Sequence, residues 1–121
     1  MPRVVHFDMM AKDPEKAIAF YSTVFGWKFS TWGGPMEYWL IATGDEKEPG
    51  IHGGLGRGEP DKGRVLTIGV KDLDATLKQI TAAGGKIVMQ RSPIPGVGWI
   101  AAFQDTTGNE LGVMQPDPAA R

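Results

Sequence analysis

The chain predicts an α+β fold: two βαβββ modules forming a curved mixed sheet with helices on one face. Three observations predict it. Short segments of alternating or β-branched residues are punctuated by 17 Gly and 9 Pro in a chain of 121 residues, which suits many short strands. Two other segments carry apolar residues at helical spacing behind an aspartate cap. The whole plan then recurs at an offset of 59 residues, matching Asp13 to Asp72, Ile18 to Leu77, Tyr21 to Ile80, Gly26 to Gly85, His6 to Val65 and Gly53 to Gly112. A two-copy repeat of this kind is a fold-level signal.

The first strand is Val4 to Met9. Val5, Phe7 and Met9 share one face, and Val4, His6 and Asp8 the other, because side chains alternate along a strand. Asp13 is a good N-cap, Pro14 a good first helical residue, and Glu15 suits the positive helix start. Ala17, Ile18, Tyr21, Val24 and Phe25 make an apolar stripe, and Gly26 stops the helix because it tolerates positive φ. Trp27 to Trp32 and Met36 to Thr43 read as strands around a Gly33-Gly34-Pro35 turn. Gly44 to Pro49 is a charged loop, and Gly50 to Leu55 a fourth strand thinned by Gly53 and Gly54.

The second half repeats the plan. Val65 to Lys71 is a strand, and Asp72 caps a helix carrying Leu73, Leu77 and Ile80. Gly84-Gly85 ends that helix. Lys86 to Gln90, Gly98 to Phe103 and Glu110 to Gln115 are strands. One domain, 1–121, is expected, with module one at 3–56, a linker at 57–63, module two at 64–115 and a frayed tail at 116–121.

Composition excludes several function classes. Net charge is −1 and no basic block is present, so nucleic acid is not an expected partner. No run approaches the ~20 apolar residues of a membrane helix, so no membrane partner is expected. Cysteine is absent, which removes thiolate chemistry and disulfides and agrees with a cytoplasmic location. The Met1-Pro2-Arg3-Val4 start has no apolar signal segment. Gly54-x-Gly56-x-Gly58 lacks dinucleotide-binding spacing, and no P-loop or nucleophile elbow occurs.

One helix per module covers one sheet face, so the other face must bind a ligand or a second chain. The candidate ligand-binding residues are His6, Asp8, Tyr38, Gly53, Trp99 and Met114. His6 can serve as general base, ligand anchor or donor to a neighbour. Asp8 lies two residues on and either orients His6, meets a ligand cation or sits at the rim. Tyr38 is placed in the cavity because a phenol wants apolar packing and a polar partner. Gly53 and Gly54 permit close backbone approach. Trp99 and Met114 either wall the cavity, fill the core or meet a second copy. His52 is a ligand or a loosely packed, exposed histidine.

Residues 13–27, Asp-Pro-Glu-Lys-Ala-Ile-Ala-Phe-Tyr-Ser-Thr-Val-Phe-Gly-Trp, together with Pro93 to Trp99 and the Asp105 to Pro116 ending, resemble the vicinal oxygen chelate superfamily. Its members include glyoxalase I, extradiol dioxygenases and bleomycin-binding proteins, and the ending is similar to a glyoxalase-related subgroup of largely unassigned role. The resemblance implies a homodimer that completes its cavities with the partner. In the metal-dependent members each of four strands supplies one ligand. Those positions map to His6, Gly53, Val65 and Gly112, or to His52 in place of Gly53 if the fourth strand slips by one. Gly and Val offer no donor, and a divalent site needs three or four protein ligands. The resemblance therefore implies a metal-independent domain, with no cofactor, that binds an aromatic or hydrophobic small molecule. The alternative is a divalent-metal-dependent lyase, isomerase or transferase of glyoxalase type, with His6 and His52 as its ligands and His6 in the catalytic role. A purely structural domain is the third reading.

Overall fold

A computed structural model describes residues 2–60 and 65–121. The expected linker at 57–63 runs beyond the described residues after Pro60, and so does Arg64 at the expected start of module two. Among the described residues eight strands and two helices follow in the order β1 (Arg3–Ala11), α1 (Pro14–Phe25), β2 (Lys28–Thr31), β3 (Trp39–Ala42), β4 (His52–Arg57), β5 (Leu66–Gly69), α2 (Leu73–Ala82), β6 (Lys86–Ile94), β7 (Gly98–Gln104) and β8 (Glu110–Pro116). This is the α+β, twice-repeated βαβββ order that the sequence predicts.

The chain forms two compact units. One is His6–Val65, with strand order β2-β3-β4-β1; β1 and β4 run parallel and the other neighbours antiparallel. The other gathers the first residues up to Val5 with Leu66–Arg121. Its strand order is β5-β8-β7-β6, again with the first and last strands of the module parallel. The same βαβββ order thus closes into the same sheet plan twice.

Both helices start as expected. The Asp13 carboxylate accepts from the Lys16 amide at 3.2 Å and the Asp72 carboxylate from the Ala75 amide at 3.0 Å, each satisfying an amide with no partner inside the helix. Their ends differ. Gly26 closes α1 at φ 71°, whereas α2 stops at Ala82 and Gly84 takes the positive φ of 97°. The match of Gly26 to Gly85 therefore fails in conformation. A Cβ at Gly85 would instead press on the Ile80 side chain and backbone. Of the α1 stripe, Ala17, Ile18 and Tyr21 are partly buried, while Val24 and Phe25 are exposed.

The core of the second module is Val70, Leu73, Ala101 and Val113, flanked by Ile68, Leu77, Trp99 and Phe103. In the first module Ile41 and Leu55 are fully buried, and Trp27 stacks on Tyr21 of α1 and is tilted against Phe25 of α1 and Phe7 of β1. Strand β6 runs to Ile94, past the expected end at Gln90 and through Pro93. It is last in its unit's order and carries register shifts, the setting in which a strand tolerates proline.

The tail at 116–121 is docked, contrary to the frayed end expected. Ala120 is buried and its carbonyl accepts from the Gly96 amide. Asp117 gives its amide to the Val97 carbonyl, and its carboxylate accepts from the Trp99 indole and the Ala119 amide. Satisfying these polar groups ties the tail to the turn before β7.

Candidate functional site

Strand pairing decides which residues share a face. His6 stands beside His52, Phe7 beside Gly53, and Asp8 beside Gly54, while Leu40 on β3 lies beside Gly54. Phe7 lies on the α1 face, its ring tilted against Trp27 with centroids 6.0 Å apart. A Cβ at Gly53 would sit 2.5 Å from that Phe7 ring. Gly53 therefore faces α1, and its expected place with His6 is corrected. His6, Asp8, His52 and Gly54 occupy the opposite face.

The same facing alters the match between the two modules. In the second module Gly112 stands beside Thr67, turned away from the core residue Val113, and a Cβ there would meet Thr67 Oγ1 at 2.9 Å. Asp8 matches Thr67 at the offset of 59, so the partner of Asp8, Gly54, is the true counterpart of Gly112. The offset of 59 holds through the first strand and helix and is lost before the fourth strand. A one-residue change reverses which side chains face the helix.

On the face away from α1, three polar side chains converge. The Tyr38 hydroxyl donates to Asp8 Oδ1 in a short hydrogen bond. His6 Nε2 lies 3.2 Å from the same Asp8 oxygen and 3.0 Å from the phenol oxygen. The phenol proton is committed to Asp8, so His6 Nε2 carries a hydrogen and donates, an assignment made from the network. In neutral histidine Nδ1 is then an acceptor. Neither that atom nor Asp8 Oδ2 has a protein partner among the described residues. Burial first, then the hydrogen bond to Asp8 and its negative charge, push the Tyr38 phenol well above the ordinary tyrosine range. Tyr38 therefore stays a donor at neutral pH.

Gly54 makes this possible, since a Cβ on it would overlap the Tyr38 hydroxyl. Trp32 meets Tyr38 edge to face, with ring centroids 5.9 Å apart, and its ring lies over Gly34. Leu40 and Met36 add exposed apolar surface. The close approach expected at Gly53 and Gly54 is made at Gly54 by the Tyr38 phenol, a partner the sequence did not identify. A glycine opposite an acidic strand residue was the available signal.

His52 is engaged elsewhere. Its Nδ1 accepts from the Thr43 amide at 3.1 Å, and its Nε2 lies 3.0 Å from Glu46 Oε1. Both ring nitrogens are used in holding the loop before β4. Among the described residues no group of three His, Cys, Asp or Glu side chains can hold a metal ion. The donor set of glycines, Val65, His6 and an occupied His52 does not fit a divalent cation.

Trp99 and Met114 do not share a face. Trp99 packs with the α2 core, its indole bonded to Asp117 at 2.9 Å and Arg91 stacked 4.1 Å above the ring. Met114 is paired with Gly69 and Ile100 on the opposite side from Val113. Of the two, Trp99 is thus a core residue held by a cation–π contact, and its expected place in the cavity wall is corrected.

Comparison with known proteins gives this geometry a family. A relative named as glyoxylase CFP32 in Mycobacterium tuberculosis (strain CDC 1551 / Oshkosh) is 30% identical over 113 residues, covering 92% of this chain. The chain spans only 43% of that relative's length. A "Glyoxylase-like domain-containing protein" of Didymella fabae is 34% identical over 111 residues, 84% of each chain. A "Probable lactoylglutathione lyase" of Vibrio parahaemolyticus serotype O3:K6 is 29% identical, covering 98% of this chain and 94% of the relative. Among solved structures, methylmalonyl-CoA epimerase from Mycobacterium tuberculosis superposes with a TM-score of 0.72 at 17% identity, covering 95% of this chain and 88% of that one. The Mn(II)-bound glyoxalase from Novosphingobium aromaticivorans gives 0.67 at 21% identity, over 99% of this chain and 41% of that one. These two likenesses speak for the fold alone. Residues 3–113 match the family profile, and the chain belongs to the Glyoxalase/Bleomycin resistance protein/Dioxygenase superfamily.

Proposed function

We propose that this chain is a metal-independent small-molecule binding domain whose site is the His6–Asp8–Tyr38 cluster. One observation carries the reading: three polar side chains are tied together on the sheet face away from α1, and His6 Nδ1 and Asp8 Oδ2 have no partner among the described residues. The ligand pairs an aromatic or hydrophobic body with a hydrogen-bond donor. Trp32, Leu40 and Met36 supply apolar surface beside the cluster. Few polar groups fixing the orientation of a mostly apolar ligand is the usual design of such sites. The domain acts in the cytoplasm as a homodimer.

The second reading is a divalent-metal glyoxalase-type lyase. Its support is the names of the Vibrio and mycobacterial relatives, and the donor set described above argues against it.

A thermal-shift screen of donor-bearing aromatic compounds tests the first reading. A ligand at ~100 times its dissociation constant adds about 2.7 kcal/mol, and the shift should vanish in His6→Ala and Asp8→Asn. Metal analysis of untagged protein tests the second. A stoichiometric divalent ion that is lost in His6→Ala would overturn the metal-independent reading.

A further inference from the structure

Tyr38 reaches its place without much help from its own backbone. It lies outside β3, which begins at Trp39, and follows the Gly33-Gly34-Pro35 turn, where Gly33 has φ 78°. Its carbonyl accepts from the Trp32 amide at 2.9 Å. A glycine-rich approach of this kind has many competing conformations.

The adjoining residue is gripped from outside. Glu37 is held by both arms of the Arg57 guanidinium, Nε to Oε1 at 2.8 Å and Nη2 to Oε2 at 3.3 Å. The same guanidinium reaches Glu15 Oε2 in the first turn of α1 and the Lys12 carbonyl after β1, each at 3.5 Å. Arg57 ends β4, the strand that carries Gly54. One side chain thus references the Tyr38 segment to the end of the strand over which the phenol must lie, and to the start of α1. The fork geometry favours a fixed orientation over a loose ion pair.

We propose that Arg57 is a positioning residue for Tyr38: by clamping Glu37 it holds the phenol over Gly54 against Asp8 and His6. The functional meaning rests on reading His6–Asp8–Tyr38 as the ligand site, but the test reads the phenol itself and uses no ligand. Arg57 touches none of the three.

The measurement is phenolate absorbance against pH, with circular dichroism in the same samples to confine the data to folded protein. The chain has 2 tyrosines, so each titration is repeated in a Tyr38→Phe background to isolate Tyr38. In the native chain the Tyr38 signal should be missing through the range where an ordinary phenol, at about 10, ionises. Arg57→Ala and Glu37→Gln should bring one tyrosine's worth of absorbance into that range, and Arg57→Lys should give an intermediate curve. Salt on the order of 1 M should act in the same direction as Arg57→Ala, because the clamp is exposed and screened. Folded Arg57→Ala and Glu37→Gln variants whose Tyr38 titration superimposes on the native curve would overturn the proposal. The proposed ligand site would be unaffected by that result, and a blank ligand screen would leave the clamp intact.

Discussion

The Tyr38 hydroxyl occupies the space that a side chain on Gly54 would need. This makes Gly54→Ala a test of the cluster that leaves its polar residues in place. The added methyl should displace the phenol from Asp8 and His6, at a cost on the order of 1–3 kcal/mol for overpacking. Urea unfolding measures the loss, and Tyr38 should begin to ionise in the ordinary phenol range. An Ala variant with unchanged stability and phenol titration would show that Tyr38 does not lie over Gly54.

Gly53→Ala should act on the other face. Its methyl would press on the Phe7 ring, 2.5 Å away, and loosen the contact with Trp27. A loss of about 1–3 kcal/mol is expected, with altered tryptophan emission and an unaltered Tyr38 titration. The two adjacent glycines therefore separate by readout. If Gly53→Ala frees the phenol and Gly54→Ala does not, the fourth-strand register is wrong.

His6→Ala should leave the fold nearly intact. The side chain is 31% exposed, and its contacts to Asp8 and Tyr38 are ordinary hydrogen bonds. Losing them should cost about 1 kcal/mol, while Asp8 keeps its bond from Tyr38. A loss beyond ~3 kcal/mol would mark His6 as a buried structural histidine instead.

Tyr38 should also shape stability at alkaline pH. Its phenol is raised in the folded chain, so its contribution is fully present below the unfolded value of about 10. Above that, the unfolded chain releases the proton and the folded chain retains it. Stability then falls with rising pH until the folded phenol ionises. Thermal melts across this range should show that slope reduced in Tyr38→Phe. Equal slopes would contradict the protected phenol.

Asp105 predicts the acid limb. Hydrogen bonds from the Thr107 and Asn109 amides, with the Thr107 hydroxyl, depress its carboxyl to about 2. Its contribution is present above the unfolded value of about 3.9 and is lost as pH falls through about 2. Asp105→Ala should lower the melting temperature at neutral pH and flatten its fall across this window. A native acid limb that persists unchanged in the variant would assign it to other carboxylates.

The two βαβββ modules, the aspartate caps and the helices are legible in the chain alone, because these follow from local spacing, capping chemistry and glycine punctuation within a few residues. The chain alone also places His6 and Asp8 together, since residues two apart on a strand share a face. The rest depends on contacts between distant segments. The facing of Gly53 and Gly54 depends on β4 register against β1, and one residue of drift in the repeat reverses it. Trp99 reads equally well as cavity wall or core until its strand is seen against α2 and Asp117. The union of Tyr38 with Asp8 and His6 spans 30 residues or more of chain. It requires a missing side chain at Gly54 and a grip at Glu37, contacts that no periodicity records because they join segments brought together only by folding.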